Sequence, residues 1–192
     1  MPKALGWPHG RQSRKAKPTR VACILNGGSI SYKRQAPYPQ SRGQLILALM
    51  EVPSAEHFYQ EHDFSAYEPF TLIVYEQQRL YQIVHNPSET FITEMDAREH
   101  QIWSSTKLYN SNTRAERSSN FRHWLATKPV LSAQALRDFH LRGSNQMNFQ
   151  GFKLKIDNLI ETVSLTQVSC QAEGSQMHYA NLLANTQSKK VF

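Results

Sequence analysis

Cysteine is nearly missing from this chain: 192 residues contain two, Cys23 and Cys170. They lie far apart and match no CxxC spacing, so neither a disulfide framework nor a cysteine-based zinc site is written here. Long apolar runs are also missing. The longest, LILALM at 45–50, falls far short of the ~20 residues a membrane span needs, and it lies in mid-chain rather than where a signal peptide would put it. No Gly-rich phosphate loop, G-x-S-x-G elbow or HExxH pair occurs, which excludes the sites those patterns build. Acid is absent from the first twenty residues. Lys3, Arg11, Arg14, Lys15, Lys17 and Arg20 stand there unopposed, leaving 16 basic against 15 acidic groups for the remainder, a net of +1. The formal charge of +7 therefore belongs to an N-terminal stretch and not to the body. That stretch is acid-free like a transit peptide, but Pro2, Pro8, Pro18 and two glycines break the amphipathic helix such peptides need. A reducing, cytoplasmic compartment and no membrane span are expected.

What is present divides into a basic, poorly ordered arm (1–19), one folded body (20–186) and a short polar tail (187–192). RVACILN reads as a strand stopped by Gly27 and Gly28, with Cys23 as a small buried thiol in it. Ser41 is the expected N-cap of a helix through Met50. Leu45, Ile46, Leu47, Leu49 and Met50 wrap most of its circumference and predict a well-buried helix. Ser54 caps a second helix through about Glu61. FTLIVYE, RLYQIVHN and TFITEM, separated by QQ and NPSE, predict an antiparallel meander. The first of these is apolar at consecutive positions, which implies cover on both sheet faces. HQIWSS (100–105) is a fourth candidate strand. Thr113 and Glu116 have capping-box spacing ahead of a helix with Phe121, Trp124 and Leu125 on one face, ending before Pro129. Ser132 caps a further helix with Leu136 and Phe139, stopped by Gly143. IETVSLTQV and QMHYANLL return the chain to strands. Helices interrupting an antiparallel set favour an α+β fold over a Rossmann-like sheet.

Few residues carry chemistry by spacing alone. His57 and His62, five apart on a helix, project about 140° from one another and cannot easily share one metal; they read as half-exposed surface side chains. YKRQAPYPQSR (32–42) mixes aromatic and basic residues as some single-strand binders do, but a structural or site-edging loop is the better reading. In IWSSTKLYNSNTR (102–114) a strand-like run ends in Trp103 and enters a loop dense in hydroxyls and amides. Such groups can line a pocket and donate to a substrate oxygen; they can equally make turns and caps.

Three stretches together resemble one family: RVACILNGGSISYKRQAPYPQSRG (20–43), EHQIWSSTKLYNSNTRAERSSNFRHWL (99–125) and ETVSLTQV (161–168) before the strand at 177–183. In order and spacing they are similar to the NRDE family, related to the transport and Golgi organisation 2 protein, over most of residues 20–186. The resemblance implies a four-layer αββα sandwich of the N-terminal-nucleophile (Ntn) hydrolase type. Members of that family begin Met-Cys, the cysteine serving as nucleophile with its own α-amine as base. They carry an Asn-Arg-Asp-Glu signature soon after. Here residue 2 is Pro, no Cys precedes Cys23, and the signature is absent. The expectation is a sandwich incomplete at its N-terminus, through a shortened or altered gene start, with residues 7–19 matching nothing in the family. By resemblance Asn26 falls where related hydrolases place an oxyanion-hole Asn. Ser104 and Ser105 fall on their Ser-Asn or Thr-Asn pair, Ser105 lacking the amide donor. Arg42, Trp103 and Tyr109 edge the same remnant pocket.

Three function classes follow. The leading one is a family body without amide-hydrolase activity, with no catalytic residue, metal or cofactor. The second is a non-catalytic carrier of haem or another hydrophobic small molecule, with His85 the residue a haem would use. The third, least favoured, is nucleic-acid binding through the arm. A sandwich lacking its first strands also predicts exposed sheet edges, to be covered by a partner or an oligomer.

Overall fold

The run FTLIVYE forms the centre of the structure because every one of its residues suits a pleated surface with neighbours on both sides. In the computed structural model, which describes residues 20–127, 130–142, 155–156, 160–171 and 174–192, it is the second strand of a four-stranded antiparallel sheet. The strands are β1 (Arg20–Asn26), β2 (Phe70–Glu76), β3 (Arg79–His85) and β4 (Thr90–Met95), in spatial order β1-β2-β3-β4. The β2–β3 hairpin turns on two residues, Gln77 (φ 50) and Gln78 (φ 64), both left-handed as the tight turn matching strand twist requires. The predicted meander is therefore present, with β1 added to its edge.

Register divides the sheet into two faces. Ala22 and Ile24 of β1, Phe70, Leu72 and Val74 of β2, and Tyr81 and Ile83 of β3 share one. Helices α1 (Gly43–Glu51) and α2 (Ala55–Glu61) cover it with Leu45, Leu49, Ala55 and Phe58, and this is the main hydrophobic core. Burying each of Leu45, Leu49 and Phe58 contributes about 1.5–3 kcal/mol. The second face carries Thr71, Ile73 and Val84, which are buried, beside Val21, Tyr75, Leu80, Phe91 and Met95, which are half-buried. The cover on both faces implied by β2 thus holds at the strand centre and thins outward. Cys23 lies on this face of edge strand β1 and is exposed, contrary to the buried thiol expected from the apolar run. Neighbouring atoms still crowd it enough for desolvation to push its pKa up.

Helix α1 corrects another expectation. Only one stripe of it is buried; Leu47 is 70% exposed and Met50 43%. One sheet face gives a helix one contact stripe, whatever the composition of its other sides. The helix also starts at Gly43 without a side-chain cap: Gln44 N–H is held by the Ser41 carbonyl, not its hydroxyl. In α2 the predicted cap is present, Ser54 Oγ accepting from His57 N–H at 3.1 Å.

Residues 100–105 do not form a strand; they run as irregular chain over the second face. Helix α3 (Ser111–Thr127) begins two residues before the Thr113 of the supposed capping box, because Asn110 Oδ1 takes the Thr113 N–H at 2.9 Å. Asparagine is as good an N-cap as threonine, and the earlier residue captures the helix start. Helix α4 (Ala133–Arg142) is capped by Ser132 as expected, Oγ accepting from Ala135 N–H at 3.1 Å. Phe121, Trp124 and Phe139 stack α3 on α4 with ring centroids 4.7–5.9 Å apart.

The C-terminal run divides into a short pair, β5 (Lys155–Ile156) with β6 (Ile160–Glu161), and a second antiparallel meander, β7 (Ser164–Gln171), β8 (Gly174–Asn181) and β9 (Thr186–Val191). β9 forms from residues expected as a polar tail; its backbone completes the meander although its side chains are all exposed. Gln167 of β7 joins this meander to α4 through the Ala133 carbonyl and Arg137. The fold is α+β with antiparallel sheets. The arm 1–19 and Gly143 lie outside the described residues.

Candidate functional site

The turn after β1 sets the geometry of the site. Gly27 has φ +94, a left-handed conformation that favours glycine, and a Cβ there would stand 2.2 Å from Thr106 Oγ1. At Gly28 a Cβ would meet Asn86 Oδ1 at 2.2 Å and the His85 carbonyl at 2.5 Å. The fully buried Asn86 takes Ser29 N–H at 2.9 Å and Ile30 N–H at 3.4 Å on its Oδ1. The two glycines therefore allow two segments to close on the end of β1. Asn86, just past β3, grips the turn from one side. From the other, the loop at 105–107 binds its carbonyls: Ser105 Oγ donates to Asn26 O at 2.7 Å, and Thr106 Oγ1 to Gly28 O at 2.8 Å.

Where this loop crosses the second sheet face it roofs a cavity of about 230 Å³. Leu25, Thr71, Gln82 and Val84 form the floor; Gly28 and Ser29 form one end. Ile102, Trp103, Ser104 and Thr106 form the roof, and Arg114 reaches in from the first turn of α3. The polar groups of the floor and roof are mostly held. Trp103 Nε1 donates to Gln82 Oε1 at 3.0 Å, and Thr71 Oγ1 donates to Gly27 O at 3.0 Å. Ser104 Oγ accepts from Arg117 Nε at 3.0 Å. Arg117 is itself buried, lying over the Tyr109 ring at 4.4 Å from guanidinium carbon to centroid. Burial lowers the Arg117 pKa and raises that of Tyr109. Arg114 differs from the rest: its Nε is buried with no hydrogen-bond partner among the described residues.

The residues singled out in the sequence divide around this cavity. Trp103 and Ser104 line it. Asn26 touches its roof loop through a backbone carbonyl, with Ser105 Oγ bound there, and neither lines the wall. Tyr109 lies beneath Arg117. Arg42 sits elsewhere, donating to Pro69 O at 3.0 Å and pairing with Glu68 at 3.4 Å. Two more residues of 32–42 converge on Glu68 in the same way. Tyr32 donates to it at 2.7 Å and Arg34 pairs with it at 3.5 Å, which makes that loop structural. Burial is the main reason the Tyr32 pKa is pushed up to about 12.

Gln82 and Arg114 are among the lining residues not named as candidates. Gln82 had a signal, being an amide on the second face between the apolar Leu80 and Val84. Arg114 closes the 102–114 stretch that the sequence marked as polar, but nothing singled it out there, since an arginine in a polar helix is ordinarily solvated. His85 belongs to the helix-covered face. Its ring lies 5.3 Å from that of Phe70, and Nδ1 is 2.7 Å from Thr90 Oγ1. His57 is exposed, while His62 stacks on Phe58 at 4.5 Å. Among the described residues no three His, Cys, Asp or Glu side chains group as a metal site, and no helix is long and apolar enough to cross a membrane. No family model and no curated protein matches the chain.

Proposed function

We propose that this chain is the body of an NRDE-family protein, arranged as the αββα sandwich of Ntn hydrolases, that holds a small molecule in its cavity without cleaving amide bonds. The family reading is supported by the order of its elements: a strand, two helices on one sheet face, a meander, two helices, and a second antiparallel meander. The observation that carries the functional reading is the state of the cavity hydroxyls. Thr71 and Thr106 donate to backbone carbonyls, Ser104 accepts from a guanidinium, and Ser29 is bound to Asn86. A serine or threonine becomes a nucleophile when an imidazole, amine or carboxylate takes its proton, and a guanidinium cannot do that. The geometry suits holding a ligand rather than attacking it.

The test is turnover of acyl p-nitroanilides and p-nitrophenyl esters by the purified chain. Release no faster than the buffer control is expected. Release above control that disappears in Ser104→Ala would refute the proposal.

A further inference from the structure

Among the described residues the cavity wall has one charged side chain, and its buried Nε has no partner. That residue is Arg114, and no carboxylate among the described residues lines the wall there. A guanidinium stays protonated at any pH the fold experiences, and its N–H groups can only donate. A buried donor left unpaired is costly, so this position favours whatever brings an acceptor to it. Ser104 points the same way. Its Oγ already accepts from Arg117 Nε at 3.0 Å, which leaves the hydroxyl hydrogen to be given to a second group. Arg117 also places a second positive group behind that hydroxyl. The first turn of α3, from which Arg114 projects, adds the positive end of a 17-residue helix.

The wall also has apolar parts, Leu25 and Val84 of the sheet and Ile102 and Trp103 of the covering loop. The volume of about 230 Å³ equals that of roughly eight waters at ~30 Å³ each. An inorganic anion would leave the apolar part empty, and a hydrocarbon would leave Arg114 unpaired.

We infer that the cavity binds a small monocarboxylate with an unbranched or aromatic tail of about five to seven carbons, its carboxylate on Arg114 and Ser104 and its tail between Val84 and Trp103. The inference rests on the proposed non-cleaving ligand site and gives that site its ligand class.

Hexanoate, with eight non-hydrogen atoms, is the probe; hexanamide is its uncharged counterpart and inorganic phosphate its tail-less one. Calorimetry of the full chain should show saturable one-to-one binding of hexanoate. Hexanamide and phosphate should each bind at least ~10-fold more weakly, the scale of a charge-assisted pair. Arg114→Gln should bring hexanoate down to the level of hexanamide, while Arg114→Lys should keep part of the preference. Because Arg114 Nε has no partner among the described residues, Arg114→Gln should melt within about 2 °C of the parent. Three results would overturn the inference: no saturable hexanoate binding, equal affinity for acid and amide, or phosphate binding as tightly as hexanoate. The two wild-type comparisons decide the matter even if the glutamine variant folds poorly. Hydrolysis of hexanamide during the titration would instead defeat the non-cleaving reading, so the two failures are separable.

Discussion

Arg20 gives four hydrogen bonds at the start of β1. Its Nε reaches Glu76 Oε2 at 2.5 Å, and its two terminal nitrogens reach the carbonyls of Leu49, Val52 and Pro53 at 2.5–2.9 Å. Glu76, 4% exposed, also accepts the Ala55 N–H on its other oxygen at 2.7 Å. One ion pair thus fixes the C-terminal end of α1, the start of α2 and the edge of the sheet at one point. Arg20→Met leaves that carboxylate buried and three carbonyls without a donor, so a loss of about 3–5 kcal/mol is expected, read from the urea midpoint. The double change Arg20→Met with Glu76→Leu should recover part of it, because two apolar groups strand no charge. A single variant within 1 kcal/mol of the parent would show the pair to be surface-like. In sequence Arg20 reads as the first residue of a strand, directly after a basic arm. Nothing local marks it as the partner of a residue 56 positions away.

The β2–β3 hairpin shows an element whose existence was legible and whose chemistry is unusual. Period and turn spacing predict it, yet both turn positions are glutamine in the left-handed region. That conformation costs an L-residue about 1–2 kcal/mol and costs glycine much less. Gln77→Asn with Gln78→Gly keeps the register Glu76↔Arg79 and should raise stability by about 1 kcal/mol, or roughly 2–4 °C in Tm. No gain in a thermal melt would mean the strands beyond the turn already relieve the strain. Helix α1 makes the complementary point. Its composition predicts burial on most sides, and Leu47 is open because only one sheet face is there to receive it. Hydrophobicity determines which residues can be buried; the number of covering elements determines which are.

At the scale of the whole molecule, two histidines pack against the aromatic residues of the core on the helix side, His85 buried and His62 partly so. His62 lies among Phe58, Phe64 and Tyr67, and His85 lies between Phe64 and Phe70. Burial is the main cause that lowers both pKa values below the usual 6.5, against the opposing pull of the Asp63 carboxylate. The unfolded chain therefore takes up protons first as pH falls. Stability should be level above about pH 6.5 and decline below it, toward the depressed folded values. Urea midpoints measured from pH 7.5 to 5.0 should show that decline, and His62→Gln with His85→Gln should flatten it. A profile of the parent that stays flat to pH 5 would contradict the burial of these rings.

The sequence by itself determined the antiparallel meander, the caps at Ser54 and Ser132, the inward faces of α3 and α4, and the α+β class. Each depends on contacts within a few residues or on a period the chain carries in itself. It also drew attention to Trp103 and Ser104 through their density of polar groups after an apolar run. The tertiary structure alone decided that residues 100–105 roof a sheet instead of joining it, that Cys23 is open, and that Arg42 serves Glu68. It alone brought Arg114 into the cavity. Those outcomes depend on which distant surfaces meet, and a sequence pattern records a residue's tendencies without recording what will face it. The two glycines stand between these cases: Gly27-Gly28 announced a turn, but only folding placed Thr106 and Asn86 close enough that no side chain fits there.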